Sequence, residues 1–156
     1  MSKAKRSSRG FAKFFFGLYV GLMLWLLFGR TSRWMPGEPY AQQLLQNINW
    51  VPFLTISNYW KVVFQHTNEA AFSHCVINLV GNVFLFILPG WLLPYNWNRF
   101  RKFFLFFFTC LSAILLVEAL QLVTLLGSCD VDDVILNMLG LLTGYLAYMI
   151  THFKKK

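Results

Sequence analysis

Four stretches of the chain, residues 14–29, 72–94, 103–126 and 133–150, are apolar over lengths close to that needed to cross a bilayer. A spanning helix needs about 20 such residues. The first stretch is short, at roughly 16, but Lys13 and Arg30 at its ends can reach outward to water. Inside hydrocarbon every backbone N–H and C=O must be bonded within the protein, so each stretch reads as an α-helix. Composition agrees. With 57% hydrophobic and 19% aromatic residues in 156, the chain has more apolar surface than a soluble domain of that size can bury. The expected fold is an all-α integral membrane protein with four transmembrane helices and an interfacial helical or loop segment between the first two. The expected organisation is a basic arm at 1–13, one membrane domain at 14–151 and a basic tail at 152–156.

The net charge of +8 raises the question of nucleic acid. The basic residues instead flank the apolar stretches, as topology anchors do, so no nucleic-acid partner is expected. They cluster before the first span (Lys3, Lys5, Arg6, Arg9, Lys13), between the second and third (Arg99, Arg101, Lys102) and after the fourth (Lys154, Lys155, Lys156). With four spans all three clusters fall on one side, which the positive-inside rule makes cytoplasmic, along with both termini. No small-x-small cleavage site follows the first apolar run, so it reads as a retained helix rather than a signal peptide.

Residues 30–69 are too long a connection to lack structure. Trp34, Tyr40, Trp50, Tyr59 and Trp60 recur along it, and such residues favour the headgroup level. Pro36, Pro39 and Pro52 break it into short pieces.

Polar residues inside membrane-length runs are costly and mark function. Here they coincide in depth. At 1.5 Å per residue, Asn78, Gln121 and Asn137 lie roughly 8–9 Å inside the outer boundary, and Glu118 and Asn82 about 12–15 Å inside. His74, Asp130, Asp132 and Asp133 fall at the outer rim, with Arg30 and Arg33 close by. Residues on separate helices at one depth should face each other, which predicts a polar pocket in the outer half of the bilayer. Simpler roles compete for each residue. Asp130 or Asp132 can cap the fourth helix. Glu118 can be a protonated carboxyl bonded to an amide across a helix interface. The four amides can hydrogen-bond between helices and brace the pocket. His74 with Asp133 and Glu118 would be a metal set only with a geometry that spacing does not fix. Metal is the minority reading, and no cofactor is expected. Cys75 and Cys129 both lie near the outer face, where a disulfide can form. Pro89 should kink or end the second helix.

His74-x3-Asn78-x2-Gly81 matches Asp133-x3-Asn137-x2-Gly140 in spacing, which suggests two related helical hairpins. Gly81, Gly140 and Gly144 would let helices pack closely.

The assembled motifs resemble the VanZ-like family of small bacterial membrane proteins. They are Asn78-Leu-Val-Gly-Asn82 with Phe86 and Gly90; Glu118-x2-Gln121; Gly127-x2-Asp130-x2-Asp133-Val-Ile-x-Asn137-x2-Gly140-x3-Gly144; and Asn49-Trp-Val-Pro52-Phe53. The resemblance covers residues 18–150. It implies a bacterial cytoplasmic membrane, a cell-envelope role and a link to resistance against teicoplanin, a lipid-bearing glycopeptide. The chain departs from the family pattern in placing Pro89 directly before Gly90, and in carrying Gly127-Ser128-Cys129 where some members have an arginine.

Two classes of function remain. In one, an outer-leaflet pocket binds or handles a membrane lipid, a lipid-linked envelope precursor or a lipophilic glycopeptide, with His74, Asn78, Asn82, Glu118, Gln121, Asp130, Asp133, Asn137, Arg30 and Arg33 as the ligand-binding set. In the other, the protein is an enzyme that modifies a lipid headgroup, with Glu118 and Asp133 as acid and base. No nucleophile–base pair, phosphate loop or metal motif is readable, which favours binding.

Overall fold

The computed structural model describes residues 3–29, 32–65 and 69–153; Arg30, the tail 154–156 and the side chains of residues 3–9, His74 and Phe153 lie outside the described residues. The elements are α1 (Lys3–Phe28), α2 (Tyr40–Gln46), β1 (Ile48–Asn49), α3 (Leu54–Gln65), α4 (Glu69–Asn96), a 3-10 turn (Asn98–Arg101), α5 (Phe103–Val123), β2 (Cys129–Asp130) and α6 (Val131–Phe153). Four of the helices contain runs long and apolar enough to cross a membrane: Gly10–Phe28, Glu69–Asn96, Phe103–Val123 and Val131–His152. The fold is therefore the expected all-α membrane architecture. The basic arm is itself helical, since α1 begins at Lys3 rather than near residue 14; Lys, Arg and Ala are good helix formers and simply extend the span.

The centre of the bundle is the α4–α6 pair, whose backbones touch. A Cβ on Gly140 would stand 2.2 Å from the Val83 carbonyl oxygen, and one on Gly144 2.0 Å from that of Ile87. A Cβ on Gly90 would stand 2.3 Å from the carbonyl oxygen of Leu141. Tails of lipid are as apolar as leucine, so helices in a membrane gain little from burying leucines and much from close packing over small residues. Gly81 plays no such part: a Cβ there meets nothing within 4 Å. The sequence match of Gly81 with Gly140 thus does not extend to packing, and the contact falls to Gly90 instead.

α4 also runs straight past Pro89 and Pro94 to Asn96, so Pro89 does not end the helix. Proline lacks an N–H, and Pro89 leaves the Leu85 carbonyl without its helical donor. The hydroxyl of Tyr19 on α1 donates to that oxygen at 2.6 Å. A neighbouring helix thereby satisfies the group that the proline strands, which is what allows a proline inside a span.

α5 stops at Val123, three residues before the expected end. The amide of Leu126 donates to the Gln121 carbonyl at 3.1 Å and that of Leu125 to the Leu122 carbonyl at 3.0 Å, the bonding of a Schellman stop. Its left-handed position is held by Leu125, at φ 53°, not by glycine. The Leu125 side chain is buried, and that burial offsets the strain. Residues 127–130 consequently form a loop entering a strand.

One end of the bundle gathers basic groups. Lys13 Nζ lies 5.6 Å from the Trp97 ring centre, and the Arg101 guanidinium lies 5.9 Å from that of Tyr148. The Tyr145 hydroxyl donates to the Arg101 carbonyl at 2.8 Å. The start of the first span, the α4–α5 turn and the last turns of α6 therefore meet there. The other end carries a folded cap made of α2, β1, α3 and β2.

Candidate functional site

The cap is held to the bundle by carboxylates and amides. β1 and β2 pair in parallel, Ile48 with Cys129 and Asn49 with Asp130. The Cys129 amide also donates to the Asn47 carbonyl at 2.9 Å. Asp130 immediately precedes α6 and acts as its N-cap, its Oδ1 accepting from the Asp132 amide at 2.8 Å. The same carboxylate accepts from Asn49 Nδ2 at 3.2 Å and from the Thr55 hydroxyl at 2.5 Å. Asp132, fully buried, has a different task from the one expected. It accepts from the amides of Phe53 at 2.6 Å and Ile56 at 3.0 Å. These are the free donors at the start of α3, and Phe53, at φ 64°, has no side chain to cap them. Asp132 on α6 thus caps α3 from another helix.

This explains the Asn49-Trp-Val-Pro52-Phe53 element. Asn49 Oδ1 accepts from the Val51 amide at 3.1 Å, which closes a local turn. Its Nδ2 reaches Asp130 and, at 3.0 Å, Thr55. Gln43, wholly buried, holds the loop before α2: its Nε2 donates to the carbonyls of Met35 and Glu38, and its Oε1 accepts from the Met35 amide. Arg33 joins cap and spans through its amide, which donates to the Leu125 carbonyl at 2.7 Å, and through Nη1, which donates to Asn47 Oδ1 at 3.2 Å.

Between cap and bundle lies an open polar cavity of about 260 Å³, lined by Arg33, Gln46, Asn47, Ile48, Asn49, Thr55, Asn58, Tyr59, Ser128 and Asp130. Asp130 is engaged by three donors, two on Oδ1 and one on Oδ2. The side chains of Gln46, Asn58 and Ser128 have no hydrogen-bond partner among the described residues, so they and the exposed Arg33 are what the cavity offers a ligand. Burial raises the Tyr59 hydroxyl above its ordinary pKa, and the charge of Asp133 adds to this, so Tyr59 is a neutral hydroxyl at physiological pH. Burial, with Glu118 and Asp130 nearby, likewise raises the Cys129 thiol.

Of the residues singled out in the sequence, Arg33 and Asp130 line this cavity. Asn82, Glu118, Gln121 and Asn137 form a buried tier beneath the cap, with Asn78 and Asp133 half-buried beside it. Asn82 Nδ2 donates to Asp133 Oδ1 at 2.5 Å, joining α4 to α6. Glu118, 2% exposed, accepts from the Asp130 amide at 3.3 Å. Gln121 Nε2 donates to the Leu27 carbonyl at 2.9 Å, joining α5 to α1. Asn137 is 2% exposed and its Oδ1 is unpartnered among the described residues. Asn78 on α4 is half-buried and engaged within the protein. Glu118 and Asp133, the acid–base candidates, are thus both committed to protein donors, and neither lines this cavity. His74 and Arg30 fall outside the described side chains. Among the described residues no group of three His, Cys, Asp or Glu side chains could hold a metal ion, and Cys75, Cys110 and Cys129 are all free thiols. Seven of the cavity's polar liners, Gln46, Asn47, Asn49, Thr55, Asn58, Tyr59 and Ser128, were not among the expected site residues. Asn49 had a signal in the Asn-x-x-Pro-Phe element; the others had none beyond being polar near the interface.

A four-span membrane protein with an acid-anchored cap over a polar cavity is the class that this architecture defines. The chain belongs to the VanZ/LLP1 family, whose model matches residues 16–152, most of its length. Searches of curated proteins and of solved structures each returned no match.

Proposed function

We propose that the protein works in the bacterial cytoplasmic membrane and uses the capped cavity, on the outer face, to bind or handle a lipid-linked envelope component. Membership of the VanZ/LLP1 family supports a link to glycopeptide resistance of the teicoplanin type. The observation that carries the proposal is the 260 Å³ polar cavity at the end opposite the basic groups. Cell-wall precursors are exported to that side, and lipophilic glycopeptides act there. The free amides and hydroxyls suit a ligand rich in hydroxyl and amide groups, and Arg33 suits a phosphate.

The orientation follows from the basic end facing the cytoplasm. A single cysteine introduced at the exposed position Ser57 in α3 should then be labelled from outside intact cells, and one at Asn98 in the 3-10 turn should not. The reverse pattern would put the cavity on the wrong side for this function. The functional test is obstruction. Ser128→Leu and Asn58→Leu place apolar bulk at side chains that bond nothing among the described residues, so they should leave the protein inserted and abundant. They should abolish any teicoplanin tolerance that expression of the native protein confers on a susceptible bacterium. Tolerance unchanged in both variants would remove the cavity from the function.

A further inference from the structure

A second cavity, of about 290 Å³, lies lower in the bundle and has a wholly apolar exposed lining. One wall is α1 from Phe16 to Leu24, another is α5 from Thr109 to Val117, and Phe86, Pro89 and Leu141 close the back. Each wall spans eight residue steps, or about 12 Å along the membrane normal. These residues fall in the middle of their spans, so the cavity sits in the hydrocarbon slab. Above it, the Gln121–Leu27 bond ties α5 to α1. Above that bond, the Arg33 amide donates to the Leu125 carbonyl, and Arg33 itself lines the polar cavity. The apolar cavity therefore lies on the seam between α1 and α5, and the polar cavity adjoins the outer end of that seam at Arg33.

The geometry points to this lower groove as the seat of one hydrocarbon chain of an anionic lipid whose headgroup occupies the capped cavity above it. The inference rests on the binding role proposed for that cavity. Three features argue for a lipid chain over other occupants. The lining offers no polar partner, so water would find no hydrogen bonds there. The Gln121–Leu27 bond lies between the two cavities, and the lower one is walled by two spanning helices, α1 and α5, for which lipid is the surrounding solvent. Arg33, at the outer end of the seam, supplies the charge that an anionic headgroup needs. A chain leaving bulk lipid gains no hydrophobic energy on entering such a groove. It gains close contacts instead, so the groove selects by chain length and shape.

The test compares two probes on the purified protein in detergent: dioleoylphosphatidylglycerol, whose chains are long enough to fill the groove, and dihexanoylphosphatidylglycerol, whose chains are too short. Native mass spectrometry reads the bound fraction. The native protein should bind the long-chain probe at least tenfold more tightly. Ala113→Phe, which fills the groove from α5, should erase that preference and leave short-chain binding intact. Leu116→Phe, on a lipid-facing position of the same helix that is 60% exposed, should keep the preference. Should Ala113→Phe fail to fold, Ala113→Leu fills the groove less severely and must reduce the preference. Equal affinity for both probes in the native protein, or a preference that survives both Ala113 variants, overturns the chain site while leaving the headgroup cavity standing. Binding of neither probe overturns the cavity reading and the chain site together.

Discussion

Gly144→Leu should prevent the protein from accumulating in a folded state. The position leaves no room even for a methyl group: a Cβ would lie 2.0 Å from the Ile87 carbonyl oxygen and 2.9 Å from the Trp91 backbone nitrogen. Both obstacles are backbone, so no side chain can rotate aside. α4 and α6 would have to part along their whole contact, which also carries Gly140 and Gly90 and the Asn82–Asp133 bond. Overpacking a core that can adjust costs about 1–3 kcal/mol, and a backbone clash at the central helix pair belongs above that range. Size-exclusion profiles of the detergent-extracted protein should show loss of the monodisperse peak. Gly81→Ala is the internal contrast. It lies on α4 with open space around its Cβ, so the profile should be unchanged. A Gly144→Leu protein that remains monodisperse with native thermal stability would mean that the two helices do not meet there.

Asp132→Ala should leave the four spans in place and release the cap. The carboxylate is fully buried and accepts from two amides at the start of α3. A hydrogen bond to a charged group contributes about 1.5–3 kcal/mol, so losing both costs roughly 3–6 kcal/mol. A three-turn helix with no buried side chain of its own keeps the bonds of Thr55 to Asp130 and Asn49 as its other polar anchor. Phe53, in a left-handed conformation that the hydrogen bond from its amide to the Asp132 carboxylate helps to hold, would relax as well. Hydrogen exchange in α3 should accelerate by at least a hundredfold, while amides in α5 and in the middle of α6 keep native protection. Asp132→Asn keeps one carbonyl acceptor and should fall between. Unchanged protection of α3 in the alanine variant would show that the cap is anchored elsewhere.

The spans were legible because hydrocarbon imposes one solution on an apolar run of that length. Their number, their order and the gathering of basic residues at one end all followed from that rule. What the sequence could not show was which polar residues would be used up by the protein itself. Asp130, Asp132 and Asp133 look equivalent in a row, yet one caps α6, one caps α3 and one pairs with Asn82. That division depends on where residues 33–65 fold back, and a two-residue parallel strand pair leaves almost no pattern in a sequence. Depth along a helix grouped Glu118, Gln121 and Asn137 and gave no information on direction. Gln121 turns to α1, and Glu118 turns to the β2–α6 junction. The cavity was missed for a related reason. Its walls come mostly from the interfacial segment, whose amides and hydroxyls read as ordinary interface polarity until the fold brings Asn47, Asn58 and Ser128 around one space. Gly81 failed in the opposite way: a short motif match gave it a packing role that the helix rotation assigns to Gly90.

Equilibrium binding of a radiolabelled lipid-linked cell-wall precursor to the purified protein tests the central claim most directly, with Ser128→Leu as the comparison. Saturable binding of one equivalent, weakened at least tenfold by Ser128→Leu at unchanged thermal stability, is the expected result. Binding that does not saturate, or that the cavity-filling variant leaves untouched, would contradict the assignment of the capped cavity as the site.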